Sequence, residues 1–246
     1  MIGAMILAAG RGERMRPLSD TTPKPLLQVR GVPLLVWQIR ALARAGVREI
    51  AINASHLADR MIDEVGDGRE HGVTIRWSRE TEPLETAGGI ATAMPLLPEG
   101  PAIIVSGDIW TTYDYARLLP RASVMQQDRE SARVHLVMVP NPTYHPQGDF
   151  RLVPQPSGLS RIETGPGPNV TYGNIGLYDT ALFRELERGV KFKLLPLLLD
   201  WIGAGRVGGE LYEGAWENVG TPADLARLDA ALAATAGSGS FSELQP

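Results

Sequence analysis

Apolar and polar positions follow two periods along the first half of the chain. Residues 4–9 are a short apolar run that ends in glycine, the pattern of a strand buried in a parallel sheet. Leu35, Ile39, Leu42 and Gly46 recur at helical spacing, which predicts an amphipathic helix over residues 33–45 that Gly46 closes. The pattern then predicts a strand over 49–54, a helix over 58–65 stopped by Gly66-Asp67-Gly68, and a strand over 73–77. A helix over 89–97 follows, then a strand over 102–105 that runs into Ser106-Gly107-Asp108. Repeated strand–helix–strand units make this an α/β chain with a mainly parallel sheet and right-handed crossovers.

The second half is less regular. The pattern predicts a strand over 133–139 and a hairpin of 149–153 with 159–163, turning at 154–158. After a Gly/Pro-rich loop at 164–169 come a strand over 170–178, a helix over 180–188 and a helix over 193–202 despite Pro196. Residues 209–219 have strand character around Trp216. Thr221 is placed as the N-cap of a last helix, with Pro222 at its first position and Asp224 near its positive end. The small, polar segment 236–246 reads as a flexible tail. We therefore expect one domain over 1–235, with a nucleotide-binding half at 1–110 and a smaller, irregular, β-rich substrate half at 111–235.

Composition narrows the chemistry. The chain has 246 residues, 43% of them apolar, enough for a sizeable core. With no cysteine, disulfides, thiolate metal sites and cysteine nucleophiles are excluded. The net charge of −4 gives no support to nucleic-acid binding. The apolar start of the chain has no basic residues before it, and the run at 194–202 is broken by Pro196 and Asp200, so no membrane segment is expected and the location is read as cytoplasmic. His56, His71, His135 and His145 show no paired spacing for zinc.

Between Leu7-Ala8-Ala9 and Leu26 lies the most informative segment. Gly10 and Gly12 follow the first strand, where open α/β sheets bind ligands, and let backbone N–H groups approach a phosphate. Arg11, Arg14, Arg16 and Lys24 add cations, and Pro23 and Pro25 hold the lysine's backbone. The dinucleotide fingerprint fails because Met15 stands where a third small residue belongs, and a Walker A ending in Gly-Lys-Ser/Thr is absent.

The string LAAGRGERMRPLSDTTPKPLL resembles the consensus of the nucleoside-diphosphate-sugar pyrophosphorylases, the sugar-1-phosphate nucleotidyltransferases. Glu82-Pro83-Leu84-Glu85-Thr86-Ala87-Gly88-Gly89, Ser106-Gly107-Asp108 and Trp216-Glu217-Asn218-Val219-Gly220-Thr221 extend the resemblance over nearly the whole chain. The short length and the PLETAGG and NP…GDF patterns look most like the uridylyltransferase branch that acts on N-acetylmuramate α-1-phosphate in peptidoglycan recycling. The resemblance implies a Rossmann-like core, a nucleoside triphosphate (UTP in this branch), a sugar 1-phosphate and Mg²⁺. Guanylyl-, thymidylyl- or cytidylyltransfer remains the rival within the class. A non-catalytic nucleotide-sugar-binding module is the rival outside it, and a monomer or small homo-oligomer is expected.

That reaction needs no protein base. The attacking sugar phosphate, with a second pKa near ~6, is already largely deprotonated at neutral pH. What it needs is alignment and charge neutralisation. By the resemblance, Lys24 contacts phosphate, Arg14 neutralises the leaving pyrophosphate, and Asp108 holds the metal. Asn218 would be a neutral metal ligand where many members carry aspartate. Leu7, Ala8, Ala9, Gly10, Arg11, Gly12 and Ser106 are expected around the nucleotide. The small residues at Thr86 and Gly88 are read as room for a flat base, with Thr86 serving equally as a helix N-cap. Glu80 or Glu82 would accept from the N3–H of uracil. For the sugar we expect Asn141, Gly148, Asp149, Glu163, Asn174 and either Lys193 or Lys191. Arg30, His145 and Arg151 are candidates for a lactyl carboxylate. Trp110, Tyr113 and Tyr115 either shape the sugar pocket or join the core.

Overall fold

The computed structural model describes residues 2–128, 132–156 and 159–236, so part of the expected 154–158 turn and the tail beyond residue 236 lie outside the described residues. Strand β1 (Gly3–Leu7) leads to a short α1 (Leu18–Thr21), a small hairpin of β2 (Gln28–Val29) and β3 (Val32–Pro33), and α2 (Leu34–Arg44). Then come β4 (Glu49–Ala54), α3 (Ala58–Val65), β5 (Thr74–Arg79), α4 (Glu85–Ala93), β6 (Pro101–Ser106), β7 (Ile109–Thr111) and α5 (Leu119–Gln127). The second half adds β8 (Val134–Val139), β9 (Arg151–Pro154), β10 (Ser160–Glu163), β11 (Thr171–Asp179), α6 (Leu194–Gly203), β12 (Val207–Leu211), β13 (Trp216–Asn218) and α7 (Pro222–Ala236).

Nine strands form one sheet in the order β5-β4-β1-β6-β11-β8-β12-β10-β9. Only β11 and β10 pair antiparallel to their neighbours, so these two oppose the other seven and the sheet is mainly parallel, as expected. Alternation along β1 shows how the layers arise. Ala4 and Ile6 face a core built with α2, α3 and α5 through Ile39, Leu42, Met61 and Met125. Met5 faces the opposite core, built with α4 and α6 through Ile90, Leu198 and Trp201. Each fully buried Ile or Leu of these layers contributes roughly 1.5–3 kcal/mol of hydrophobic stabilisation. A third cluster joins Trp37, Trp110, Val219 and Leu228 and seats α7.

The structure departs from several expectations. Helix α4 begins at Glu85, four residues before the expected start, because the backbone of Leu84, Ala87 and Gly88 is tied by hydrogen bonds to Glu80 and Phe192. Over 180–188 only a single 3-10 turn forms, Thr180–Phe183, with the Asp179 carboxylate accepting from Ala181 N at 2.9 Å. The segment 209–219 is two strands in different sheets: β12 joins the large sheet and β13 pairs with β7. Neither β7 nor α5 was expected. The hairpin of β9 and β10 and the Thr221 cap are as read, with Asp224 N donating to Thr221 Oγ1 and Thr221 N donating back to Asp224 Oδ2. Trp110, Tyr113 and Tyr115 are 4%, 2% and 0% exposed, which decides their role as core.

Candidate active site

Three parallel strands end level with one another, Leu7 of β1 standing in register with Asn53 of β4 and Ser106 of β6. The carboxyl ends of such strands leave free backbone groups above the sheet. Here they floor a cavity of about 340 Å³ lined by Leu7, Ala8, Ala9, Gly10, Lys24, Asn53, Glu80, Glu85, Thr86, Ser106 and Asp108, among others. Most of the expected nucleotide residues thus meet in one place.

The wall beneath the loop is built from polar groups that satisfy each other. Asn53 Oδ1 accepts from Ala8 N at 2.7 Å and its Nδ2 donates to Glu80 Oε1 at 2.7 Å. Glu80 Oε2 accepts from Leu84 N at 3.0 Å. Burial pushes the Glu80 carboxyl above its ordinary value, against the opposing pull of these bonds. Glu80 therefore holds the end of β4 to the loop ahead of α4 as well as lining the cavity. A Cβ on Gly89 would fall 2.8 Å from Asn53 Nδ2, so the pair also requires that glycine. Asn53 escaped the sequence reading, although a polar residue near the end of the apolar run EIAINA was a signal for it.

Lys24 Nζ donates to Asp108 Oδ2 at 2.6 Å, with 9% and 30% of the two side chains exposed. Gly12 stands in the left-handed region at φ 64°, and a Cβ there would meet Lys24 Cβ at 2.9 Å. Its service is to Lys24, and it does not line the cavity. Arg11 and Arg14 are exposed and lie outside it. Arg14 approaches Gly220, where an added Cβ would be 3.5 Å from its guanidinium. Glu82 pairs with Lys191 at 2.5 Å, away from the cavity, and that bond lowers its carboxyl below the usual value. Gly88 packs against the chain at 190–192, where a Cβ would sit 2.2 Å from Val190 O, so its small size serves packing there, outside the cavity lining. Thr86 lies within α4 and makes no side-chain cap.

A second cavity of about 560 Å³ opens beside the first and shares Leu7, Glu85, Thr86 and Ser106 with it. Asp149, Asn174 and Lys193, three of the residues expected around the sugar, line it together with Asn218, the expected metal ligand, and with Tyr144, His145, Phe150, Tyr172, Leu194, Leu195 and Trp216. Asp149 Oδ2 accepts from Tyr172 N at 2.8 Å and its Oδ1 meets His145 Nε2 at 3.1 Å. Asn174 sits at φ 55° in an irregularity of β11 between Tyr172 and Ile175. Asn141, Gly148 and Glu163 lie outside the cavity. Asn141 is spent on Pro146 O, Asn169 O and Thr171 Oγ1, and a Cβ on Gly148 would meet Asn141 Oδ1 at 2.6 Å. Glu163 is bound by Arg151 at 2.5 Å on the far hairpin, which removes Arg151 as well. Of the three carboxylate-binding candidates only His145 faces the cavity, and of the two lysines only Lys193.

The small sheet settles where Asn218 lies. It registers with Ile109 of β7, and Val219 N donates to Asp108 O at 3.0 Å, so Asn218 and Asp108 are neighbours across this ladder. Asn218 Oδ1 is buried with no hydrogen-bond partner, an orphaned carbonyl oxygen of the kind a hard cation takes. Among the described residues no cluster of three His, Cys, Asp or Glu side chains could hold a metal. The donor set, one carboxylate and one amide oxygen, fits a cation that takes its remaining ligands from water and substrate phosphates. Among the described residues no helix is long and apolar enough to cross a membrane.

Comparison with known proteins finds relatives along nearly the whole chain. The nucleotidyl transferase family model matches residues 3–145. The N-acetylmuramate α-1-phosphate uridylyltransferase of Neisseria meningitidis serogroup B is 44% identical over 92% of this chain and 96% of its own length. The enzyme of that name from Caulobacter vibrioides is 31% identical over 94% and 96%. A mannose-1-phosphate guanylyltransferase of Mycobacterium tuberculosis is 29% identical over 94% of this chain and 64% of its own length. Among solved structures, HddC from Yersinia pseudotuberculosis complexed with GMP-PN superposes with a TM-score of 0.70 at 21% identity, over 94% of this chain and 99% of its own.

Proposed function

The chain belongs to the nucleotidyl transferase family, and from that premise we propose that it joins UTP to N-acetylmuramate α-1-phosphate, yielding UDP-N-acetylmuramate and pyrophosphate with Mg²⁺ as the metal. The observation that carries this reading is the pair of cavities meeting along Leu7, Glu85, Thr86 and Ser106, with Lys24 and Asp108 at the edge of the first and Asn218 at the edge of the second. Two substrates seated in them would bring their phosphates together there. The 44% and 31% relatives support the uridylyl and muramate parts.

In this reading the sugar phosphate oxygen attacks the α-phosphorus of UTP, forming one P–O bond as the bond to pyrophosphate breaks. Lys24, nearly buried and held beside Asp108, places a cation at that point. Arg14 meets the departing pyrophosphate. Asp108 and Asn218 would hold Mg²⁺, which when bound supplies charge neutralisation on the phosphates. Lys193 and His145 face the sugar and its lactyl carboxylate. Residues 1–235 act as one unit, soluble in the cytoplasm and serving cell-wall recycling.

A pyrophosphate-release screen of nucleoside triphosphates against sugar 1-phosphates tests the reading. The expected result is turnover of UTP with N-acetylmuramate α-1-phosphate. Turnover confined to GTP and mannose 1-phosphate would move the chain to the guanylyl branch, and no turnover with any pair would leave a binding module.

A further inference from the structure

Glu85 is one of four non-glycine residues in the left-handed region of the backbone among the described residues, with φ 61°. Glycine takes that conformation at no steric cost, whereas a residue with a Cβ is strained there. The neighbours hold it in place. Leu84 N donates to Glu80 Oε2 at 3.0 Å, Phe192 N donates to Leu84 O at 3.0 Å, and Ala87 N donates to Phe192 O at 2.9 Å. The side chain is exposed and, among the described residues, has no hydrogen-bond or ion-pair partner. Nothing in the folding of the chain accounts for a glutamate here. Yet Glu85 lines both cavities, at the border they share.

We propose that Glu85 is a substrate-reading residue whose carboxylate accepts hydrogen bonds from hydroxyl groups of a bound substrate at the junction of the two cavities. This rests on the function proposed above and adds a residue to it. An ionised carboxylate is an acceptor only, so its partner must be a donor. The phosphates of both substrates repel it, and their hydroxyls do not. Two sources fit: the ribose of the nucleotide and the pyranose ring of the sugar phosphate. The clamp that strains Glu85 runs through Phe192 to Lys193, so the acceptor for hydroxyls and the cation facing the sugar cavity are positioned by one set of backbone bonds.

Glu85→Gly and Glu85→Gln separate function from folding. Glycine relieves the backbone, so Glu85→Gly should melt at or above the wild-type temperature while losing substrate recognition. Glu85→Gln keeps the side-chain length and removes the charge, and it serves if the glycine variant fails to fold. Steady-state kinetics and titration calorimetry with UTP, 2′-deoxy-UTP and N-acetylmuramate α-1-phosphate give the readout. A ribose contact predicts that the wild type favours UTP over 2′-deoxy-UTP by about tenfold or more and that both variants bring this ratio to near one. A sugar contact predicts an unchanged nucleotide ratio and a ten- to hundredfold fall, on the order expected for a charged hydrogen bond, in kcat/KM for the sugar phosphate. Folded variants that move neither quantity overturn the proposal. Absence of wild-type turnover instead strikes the proposed function, and the calorimetric affinities for the two nucleotides and for the sugar phosphate then still decide for or against Glu85.

Discussion

Lys24 has 8% of its surface exposed and sits 2.6 Å from Asp108 Oδ2, a partner 84 residues away in the chain. Removing one member of such a pair leaves the other charge desolvated, which costs more than the pair itself contributes. Asp108→Ala should therefore abolish turnover and also lower stability by about 1–3 kcal/mol in urea titration, since the Lys24 ammonium loses its acceptor. Asp108→Ala with near-normal pyrophosphate release would remove Asp108 from the site. Each residue was singled out through the family resemblance, the lysine between its two prolines and the aspartate after an apolar run. Their pairing was not, because it depends on two loops meeting above the sheet. The same holds for Asn53, whose amide serves Ala8 and Glu80, just past the ends of two different strands.

The start of α4 is where local preference and the fold disagree most. Residues 85–89 hold two glycines, poor helix formers, and the periodic pattern starts only after them. Contacts with the chain at 190–192 override that preference, since Ala87 N and Gly88 N both donate to Phe192 O, at 2.9 and 3.1 Å. Gly88→Ala puts a methyl group 2.2 Å from Val190 O. Overpacking of this kind costs about 1–3 kcal/mol, so the variant should unfold at lower urea. Because Lys193 follows the displaced segment, KM for the sugar phosphate should rise as well. Unaltered stability would show that the 190–192 chain yields freely. Elements with strong periodicity, such as β4 and α3, were read to the residue, whereas α5 was missed because Pro120 and a mixed polar sequence hide its weak apolar stripe. The break between β12 and β13 was hidden because both segments are extended and only their partners differ.

Across the whole molecule, a net charge of −4 coexists with Arg11, Arg14, Arg16 and Lys24 within fourteen residues. The structure divides that cluster. Arg16 pairs with Asp20 at 3.2 Å and Lys24 with Asp108, while Arg11 and Arg14 are exposed and have no ion pair among the described residues. Exposed cations act over roughly a Debye length, ~10 Å at 0.1 M salt. KM for UTP should therefore rise several-fold, on the order of 3–10, between about 50 and 300 mM KCl. Arg14→Gln should raise KM at low salt and flatten that dependence, and a salt response identical to wild type would argue against a role for Arg14 in phosphate binding. What the sequence by itself determined was the layered α/β order, the glycine- and arginine-rich loop after the first strand and the family to which the chain belongs, because these rest on local periodicity and on contiguous motifs. Tertiary structure alone decided which residues share a cavity. It left Gly88, Asn141, Gly148 and Glu163 outside the linings of the two cavities, placed Asn53 and Trp216 in them, and left Glu85 strained where the two cavities meet. Such placement depends on distant strands ending level with one another, and no stretch of sequence carries that information.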